Sequence, residues 1–270
     1  MATITRVDDP EDPRIDDYRD LTHADRRPDR PGGRGLVIAE GVVVVRRLVD
    51  SPYPLRSVLG VPRRLADLHD DLVPFDVPAF EVDADTMATA VGFHLNRGVL
   101  AVAGRAPEID VAELVRDARI VAVLEGVNDH ENLGALFRNA AALGVDAVVL
   151  GPRCSDPLYR RSVRVSMGHV LRVPFATLPG SWPESLDVLR DAGLRIAALT
   201  PAADAVPISA AGLAGERVAL LLGAEGPGLT EQALAAADVR VRIPMASGVD
   251  SLNVATAGAV AFHAVASPVG

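Results

Sequence analysis

The stretch IVAVLEGVNDHENLGALFRNAAALGVDAVVLG (120–151) decides the fold class. It begins with the apolar run 120–126, which has the composition of a strand buried on both faces. Apolar residues then recur at helical spacing as far as Gly144, a glycine placed where a helix would end. A second apolar run, 146–151, follows at once. A strand, a helix and a strand in this order predict a right-handed crossover between parallel neighbours, and therefore an α/β fold.

The same alternation extends to both sides of this stretch. Further strands are expected at 36–39, 55–61, 78–82, 98–104, 169–175, 194–199, 217–223 and 239–245. A helix is expected at 40–50, with Val43, Val44 and Leu48 facing inward, and an Ala- and Gly-rich helix from about Ser251 to Ala266.

Composition divides the chain into four parts. Residues 1–34 are rich in Asp, Arg and Pro and are expected to form a tail or an irregular packing arm. Residues 35–105 form a first alternating α/β unit. Residues 106–118 are expected to be a linker, and residues 119–270 form a second alternating unit.

Overall composition limits the class of protein. The chain has 270 residues, 49% of them hydrophobic, which suffices for one large domain or two modest ones. Its apolar runs are shorter than the roughly 18–20 residues of a membrane span, and its acidic start is unlike a signal peptide. A soluble cytoplasmic protein with no membrane association is therefore expected. The single cysteine, Cys154, excludes an internal disulfide and a multi-cysteine metal site.

Charge gives two opposing indications about nucleic acid. The net charge of −9 argues against it, and all 27 basic residues are arginine. An all-arginine set either serves phosphate binding or reflects a GC-rich genome. One stretch, however, contains five arginines and a single acid, Asp156. The arginines are Arg153, Arg160, Arg161, Arg164 and Arg172.

Two local motifs are weak when taken alone. GAEGPGL (223–229) follows an apolar run, where backbone amides often meet a nucleotide. Its G-x-x-G-x-G spacing differs from the dinucleotide fingerprint, so an ordinary turn between a strand and a helix is an equal alternative. His130 and Glu131 lack a second histidine at metal-binding spacing, and no metal site is expected.

Three ordered segments together carry a family resemblance. They are ENLGALFRNAAALG (131–144), LLLGAEGPGL (220–229) and IPMASGVDSLNVATAGAV (243–260). They resemble the signature motifs of the SpoU/TrmH branch of the SPOUT RNA methyltransferases. DPLYRRSVRVSMGHVLRVPF (156–175) is similar to the family's substrate-facing segment. Residues 35–105 resemble the small L30e-like RNA-binding domain that often precedes this catalytic domain.

The resemblance implies a fold and a cofactor. The fold is an α/β protein whose carboxyl-terminal SPOUT domain has a parallel sheet and a deep trefoil knot, after a smaller L30e-like domain. The cofactor is S-adenosylmethionine, and no metal is needed. The residues implied to hold it are Leu199, Thr200, Gly223, Ala224, Gly228, Ile243, Met245, Ser251 and Leu252.

The resemblance also implies catalytic and RNA-binding residues. Arg138 matches the family's catalytic arginine. Because a guanidinium hardly ever loses its proton, binding of the RNA phosphate and stabilisation of charge on the reacting oxygen is the favoured role; a role as base stays open. The residues implied to hold the reacting geometry are Asn132, Glu225, Ser251 and Asn253, and those implied to contact RNA are Arg160, Arg161, Arg164 and Ser166.

The function expected from the resemblance is 2′-O-ribose methylation of RNA, 23S ribosomal RNA first, by a homodimer. The alternatives are a transfer RNA 2′-O-methyltransferase and a non-catalytic RNA-binding protein of the same fold. A nucleotide-dependent oxidoreductase is disfavoured by the glycine spacing.

Overall fold

A computed structural model describes residues 2–21 and 35–266 of the chain. The strands are β1 (Thr3–Arg6), β2 (Val37–Glu40), β3 (Leu55–Gly60), β4 (Pro78–Glu81), β5 (Val99–Ala103), β6 (Ile120–Glu125), β7 (Ala147–Leu150), β8 (Phe175–Thr177), β9 (Arg195–Leu199), β10 (Val206–Pro207), β11 (Val218–Gly223) and β12 (Val239–Arg242). The α-helices are α1 (Val42–Val49), α2 (Pro62–Asp67), α3 (His69–Leu72), α4 (Ala84–Val91), α5 (Val111–Val115), α6 (His130–Ala142), α7 (Arg160–Val165), α8 (Asp187–Asp191), α9 (Glu231–Ala236) and α10 (Val254–Val265).

These elements form two compact units. The first contains residues 1–107 and 156–172, and the second contains residues 108–155 and 173–270. The segment 156–172, which the sequence assigned to the carboxyl-terminal part, therefore packs with the first unit. Among the described residues, none of the helices has the length and apolar character that crossing a membrane requires.

The first unit is built on a five-stranded mixed sheet in the order β1-β4-β3-β5-β2. β4 is parallel to β1 and β3, whereas β5 is antiparallel to β3 and β2. Its core includes residues from the first 21 positions, because Ile15 and Tyr18 are fully buried. The Tyr18 hydroxyl lies 2.7 Å from the hydroxyl of Ser57 on β3.

Two expectations about the first unit were wrong. Residues 3–6 are a regular strand at the sheet edge, and 13–18 form a 3-10 helix, where a tail or irregular arm was expected. The remainder of that stretch, 22–34, lies outside the described residues. In α1 the inward face is Val44, Val45 and Leu48, whereas Val43 is 46% exposed.

The second unit is built on a seven-stranded sheet in the order β10-β12-β9-β11-β6-β7-β8, and every paired strand is parallel. Helices cover both faces, which explains why β6 is apolar along most of its length. On one face α6 packs against α10, with the Gly258 Cα so near α6 that an added Cβ would lie 2.5 Å from the Leu136 side chain. On the other face Leu186, Leu189 and Ala233 complete the core.

Two further expectations differ from the structure. Within the expected linker 106–118, α5 is a helix whose Val111 and Val115 are buried in the core of the second unit. The strand expected at 169–175 is a 3-10 helix at His169–Leu171 followed by β8. Val111 and Val115 stand at helical spacing, which was the available signal for α5.

Candidate active site

Three loops converge at the carboxyl ends of β12, β9 and β11. These strands are neighbours in the parallel sheet, so the chain leaves each of them at the same edge, where α/β proteins bind ligands. The loops enclose an open cavity whose lining combines apolar side chains with a few polar groups, as small-molecule sites do.

The cavity lining contains every residue that the sequence assigned to the cofactor. These are Leu199, Thr200, Gly223, Ala224, Gly228, Ile243, Met245, Ser251 and Leu252. Sequence reasoning missed five lining residues, which are Pro201, Leu222, Gly226, Val254 and Ala257. Val254 and Ala257 lie in the first turn of α10, directly after the third segment's polar residues, and this position was the available signal.

The glycine-rich loop 223–229 turns back tightly on itself. The amide of Gly228 donates to the carbonyl of Ala224 at 3.0 Å. A Cβ on Gly223 would collide with the backbone of Gly228 and Leu229, so no larger residue fits there. Gly226 and Gly228 have φ of +89° and +71°, which side chains rarely tolerate. At its glycines the loop therefore presents bare backbone to the cavity, and Ala224 and Glu225 also line it.

A chain of hydrogen bonds joins the three signature segments. The Asn132 Nδ2 donates to Oε2 of Glu225 at 2.7 Å, and the Asn253 Nδ2 donates to Oδ1 of Asn132 at 2.7 Å. Asn132 is thus held on both sides and does not cap its helix. The cap of α6 is Asp129, which accepts the amides of Glu131 and Asn132.

Asn253 has a second task at the start of α10. Its Oδ1 accepts the amides of Ala255 and Thr256 at 3.0 and 3.2 Å, so it is the helix cap. The side-chain amide of Asn139 on α6 donates to the carbonyl of Ala255 at 2.8 Å. Both the cap and the lining at this end of the cavity are therefore fixed against α6.

Arg138 lies apart from this hydrogen-bonded chain. Its side chain is on the exposed face of α6 and does not line the cavity. Within residues 2–21 and 35–266 it makes no hydrogen bond or ion pair. Its guanidinium is therefore available to an incoming anion.

The sequence profile of the SpoU rRNA Methylase family matches residues 119–263, more than half of the chain. The chain belongs to the SpoU rRNA methylase family.

Relatives of this SpoU methylase cover nearly all of the chain. An uncharacterized tRNA/rRNA methyltransferase of Mycobacterium tuberculosis is 60% identical over 262 residues, 96% of this chain and 91% of the relative. The 23S rRNA (guanosine(2553)-2'-O)-methyltransferase RlmP of Bacillus subtilis is 26% identical, over 84% of this chain and 86% of its own. An AdoMet-bound rRNA methyltransferase from Sinorhizobium meliloti has the same fold, with a TM-score of 0.80 over 97% of both chains at 24% identity.

The arginines assigned to RNA lie in the segment 156–172, which belongs to the first unit. Arg160 is largely buried: its Nη1 lies 3.1 Å from Oε2 of Glu40, and its guanidinium lies 4.7 Å from the centre of the Phe93 ring. Burial lowers the pKa of Arg160, and Glu40 opposes that shift. Arg161 and Arg164 are exposed. Arg160 is thus an anchor of this segment, and the exposed pair faces solvent.

Ser166, also assigned to RNA, is not available to it in this structure. The residue is fully buried. Its hydroxyl donates to the carbonyl of Val163 at 3.0 Å and accepts the amide of Val170 at 3.4 Å. These bonds hold the turn between α7 and the following 3-10 helix, which explains why a serine stands here.

Proposed function

We propose that this SpoU methylase transfers a methyl group from S-adenosylmethionine to the 2′-hydroxyl of a ribose in RNA, with ribosomal RNA as the first candidate. The observation that carries the proposal is the cavity formed by three converging loops, joined to α6 by the Glu225–Asn132–Asn253 chain. The similarity to RlmP, which is named as a 23S rRNA 2′-O-methyltransferase, supports the choice of a ribose oxygen.

The residues of the cavity fit S-adenosylmethionine in two respects. Leu199, Ile243 and Leu252 offer apolar surface to a flat base, beside glycine backbone that a ligand approaches closely. Among the described lining residues Glu225 alone is charged, and a carboxylate suits a ligand with a cationic sulfonium. A protein of the same fold is solved in its AdoMet-bound form.

The chain's own residues hold the reacting groups in place. S-adenosylmethionine, when bound, would supply a methyl group on a sulfonium that leaves as a neutral thioether, and the hydroxyl proton would pass to solvent water. A hydroxyl is a weak nucleophile, and holding it in line is therefore the main requirement. Asn132 and Asn253 fix Glu225 and the start of α10, while Ser251 lines the cavity.

Arg138 supplies the charge that this step needs. Because a guanidinium keeps its proton, we assign it to the phosphate next to the target ribose and to the developing charge on the oxygen. Its exposure and its lack of a partner among the described residues leave it free for that contact.

RNA binding is assigned to the first unit, including its segment 156–172. Arg161 and Arg164 are the exposed cations of α7 and suit backbone phosphates.

The trefoil knot and a homodimer are parts of the same proposal. The exposed apolar residue Val260 on the outer face of α10 offers surface for a second copy, and light scattering of the purified protein tests that assembly.

The deciding experiment is incubation with methyl-labelled S-adenosylmethionine and either total ribosomal or total transfer RNA, followed by mapping of the modified nucleotide. Label on a ribose of ribosomal RNA is the expected result. Label on transfer RNA would replace ribosomal RNA as the proposed substrate. Label on a base would overturn the proposed methylation of the ribose 2′-hydroxyl. Calorimetric titration with S-adenosylmethionine and with NAD checks the cofactor separately.

A further inference from the structure

The carboxylate of Glu125 is buried beneath the glycine-rich loop without lining the cavity. Glu125 ends β6 and is 1% exposed. A buried carboxylate is costly unless its oxygens are bound. Here Oε2 accepts the backbone amide of Thr230 at 3.0 Å, and Oε1 accepts the Thr230 hydroxyl at 2.9 Å.

Thr230 links this carboxylate to the helix that follows the loop. Its Oγ1 accepts the amide of Ala233 at 3.3 Å and is the N-cap of α9. A hydroxyl donates once, and because a carboxylate only accepts, that proton is directed to Glu125. Glu125 therefore fixes both the backbone and the side chain of the residue where the loop ends.

The start of the loop is fixed by the backbone of Glu125. Gly223 is the register partner of Glu125 in the pairing of β11 with β6. Residues 223 and 230 are thus both held by Glu125, one through the sheet and one through the carboxylate. Between them the chain must close tightly, as the Ala224–Gly228 bridge shows. Leu229, next to Thr230, is buried in the core.

A cation completes the surroundings of the carboxylate. The Nη2 of Arg153 lies 3.8 Å from Oε1, and its side chain is 70% exposed. Arg153 has φ of +62°, an uncommon conformation for a residue with a side chain. Burial raises the pKa of the Cys154 thiol, and the Glu125 charge adds to that rise.

We propose that Glu125 is a positioning residue that sets the shape of the glycine-rich loop and thereby the affinity for the methyl donor. The proposal rests on the proposed function for the identity of the donor, but the loop contact itself does not. Glu125 acts through Thr230 and the loop, and touches no reacting group.

The test compares Glu125→Ala with a matched control, Asp146→Ala. Asp146 also accepts two hydrogen bonds through one carboxylate, but both come from backbone amides, those of Arg119 and Ile120 at 2.8 Å, at the opposite end of β6. We expect Glu125→Ala to raise the dissociation constant of S-adenosylmethionine at least tenfold by calorimetry. At saturating donor, kcat should change less than threefold and KM for RNA less than twofold, whereas a general loss of structure would lower kcat and weaken the affinity for both the donor and RNA. The control should leave the donor affinity unchanged.

Amide hydrogen exchange decides the proposal independently of ligand. Residues 223–230 should exchange at least tenfold faster in Glu125→Ala and at the wild-type rate in Asp146→Ala. If the wild-type protein binds no S-adenosylmethionine, the proposed function fails, and the exchange result alone then upholds or overturns the loop contact. Unchanged exchange together with unchanged donor affinity would overturn it.

A milder pair of variants applies if Glu125→Ala does not fold. Thr230→Val removes only the hydroxyl that donates to Glu125, and should weaken donor binding at least threefold. Thr230→Ser keeps that hydroxyl and should restore wild-type affinity. Equal affinities for the two variants would count against the proposal.

Discussion

Asn253 donates a hydrogen bond to Asn132 across 121 positions of sequence, at 2.7 Å. Asn132 in turn binds Glu225, so the second and third signature segments are both attached to α6. Asn253 also caps α10, whereas Asn132 caps nothing. The two asparagines therefore share one hydrogen bond but differ in what else depends on them.

Alanine substitution at Asn132 and at Asn253 should separate the shared hydrogen bond from the capping of α10. Asn132→Ala is expected to slow methyl transfer by about 100-fold, since misplacing reacting groups by an ångström costs that much, with little change in the free energy of unfolding. Asn253→Ala should slow transfer similarly and also lower the unfolding free energy by about 1 kcal/mol through the lost cap. Asn253→Asp, which keeps a capping oxygen, should regain stability without activity. Thermal melts and label transfer measure both, and equal melting temperatures for the alanine variants would contradict this reading.

Arg138→Ala should separate donor binding from chemistry. The side chain lies outside the cavity, so the dissociation constant of S-adenosylmethionine should stay within twofold of wild type. Methyl transfer should fall by about 100-fold or more, the usual effect of removing a charge-stabilising donor. Arg116→Ala removes another exposed arginine of the second unit and is the control. Full activity of Arg138→Ala would remove its assigned role.

Gly223→Ala should abolish donor binding through shape alone. The new methyl group would meet the backbone of Gly228 and Leu229, which cannot give way as a side chain would. Gly104→Ala is a suitable control, because its Cβ would lie 3.3 Å from a single side-chain atom of Pro54. Calorimetry with S-adenosylmethionine is the measurement. Wild-type affinity in Gly223→Ala would show that the loop opens more easily than its geometry indicates.

Arg164 and Arg160 should respond in opposite ways to substitution. Arg164→Ala should weaken RNA binding and reduce the slope of log affinity against log salt by about 1, with an unchanged melting temperature. Arg160→Ala should cost about 1–3 kcal/mol of stability, because the buried Glu40 loses its closest partner. Filter binding at several salt concentrations, combined with melts, tests both. The assignment fails if Arg160→Ala alters only the salt slope.

The free energy of unfolding should fall at alkaline pH, and the ionisation of Tyr53 should account for part of that fall. Burial raises the pKa of Tyr53 to about 12, above the ordinary value of 10.0. Above pH 10 the unfolded chain loses this proton before the folded one does, so stability present below pH 10 is lost as pH rises toward 12. One such group contributes up to about 2 kcal/mol. Urea unfolding at pH 8 to 11.5 should therefore show a shallower decline for Tyr53→Phe, with buried Tyr18, whose pKa is also raised, retained in both proteins.

The second unit was the more predictable part of the molecule. Its strands are buried on both faces, so their apolar runs stand out, and β6, α6 and β7 lie within a few residues of the expected bounds. The site residues were implied by the family resemblance, and the structure brings the cofactor residues to one cavity because neighbouring parallel strands end at one edge. The hydrogen bonds that join Asn132 to Glu225 and Asn253 depend on side-chain directions that spacing does not specify.

The errors have physical reasons that particular residues show. Four consecutive valines in α1 leave the rotational phase of the helix undefined, and the turn at Gly41 sets it so that Val43 faces solvent. β1 was missed because the acidic, Pro-rich residues after it dominate the local composition. Arg160 was taken for a surface charge, although a buried acid and an aromatic ring on distant segments hold it. Such pairings are invisible until the chain has folded.

The strand order of the second unit also bears on synthesis. β6 is made early, yet one of its two neighbours in the sheet, β11, is translated long afterwards, and the last wall of the cavity belongs to α10. Parallel pairing over such separations folds slowly, and a ribosome delivers the amino-terminal residues first. A nascent chain therefore has no complete cavity for a ligand until α10 has been translated.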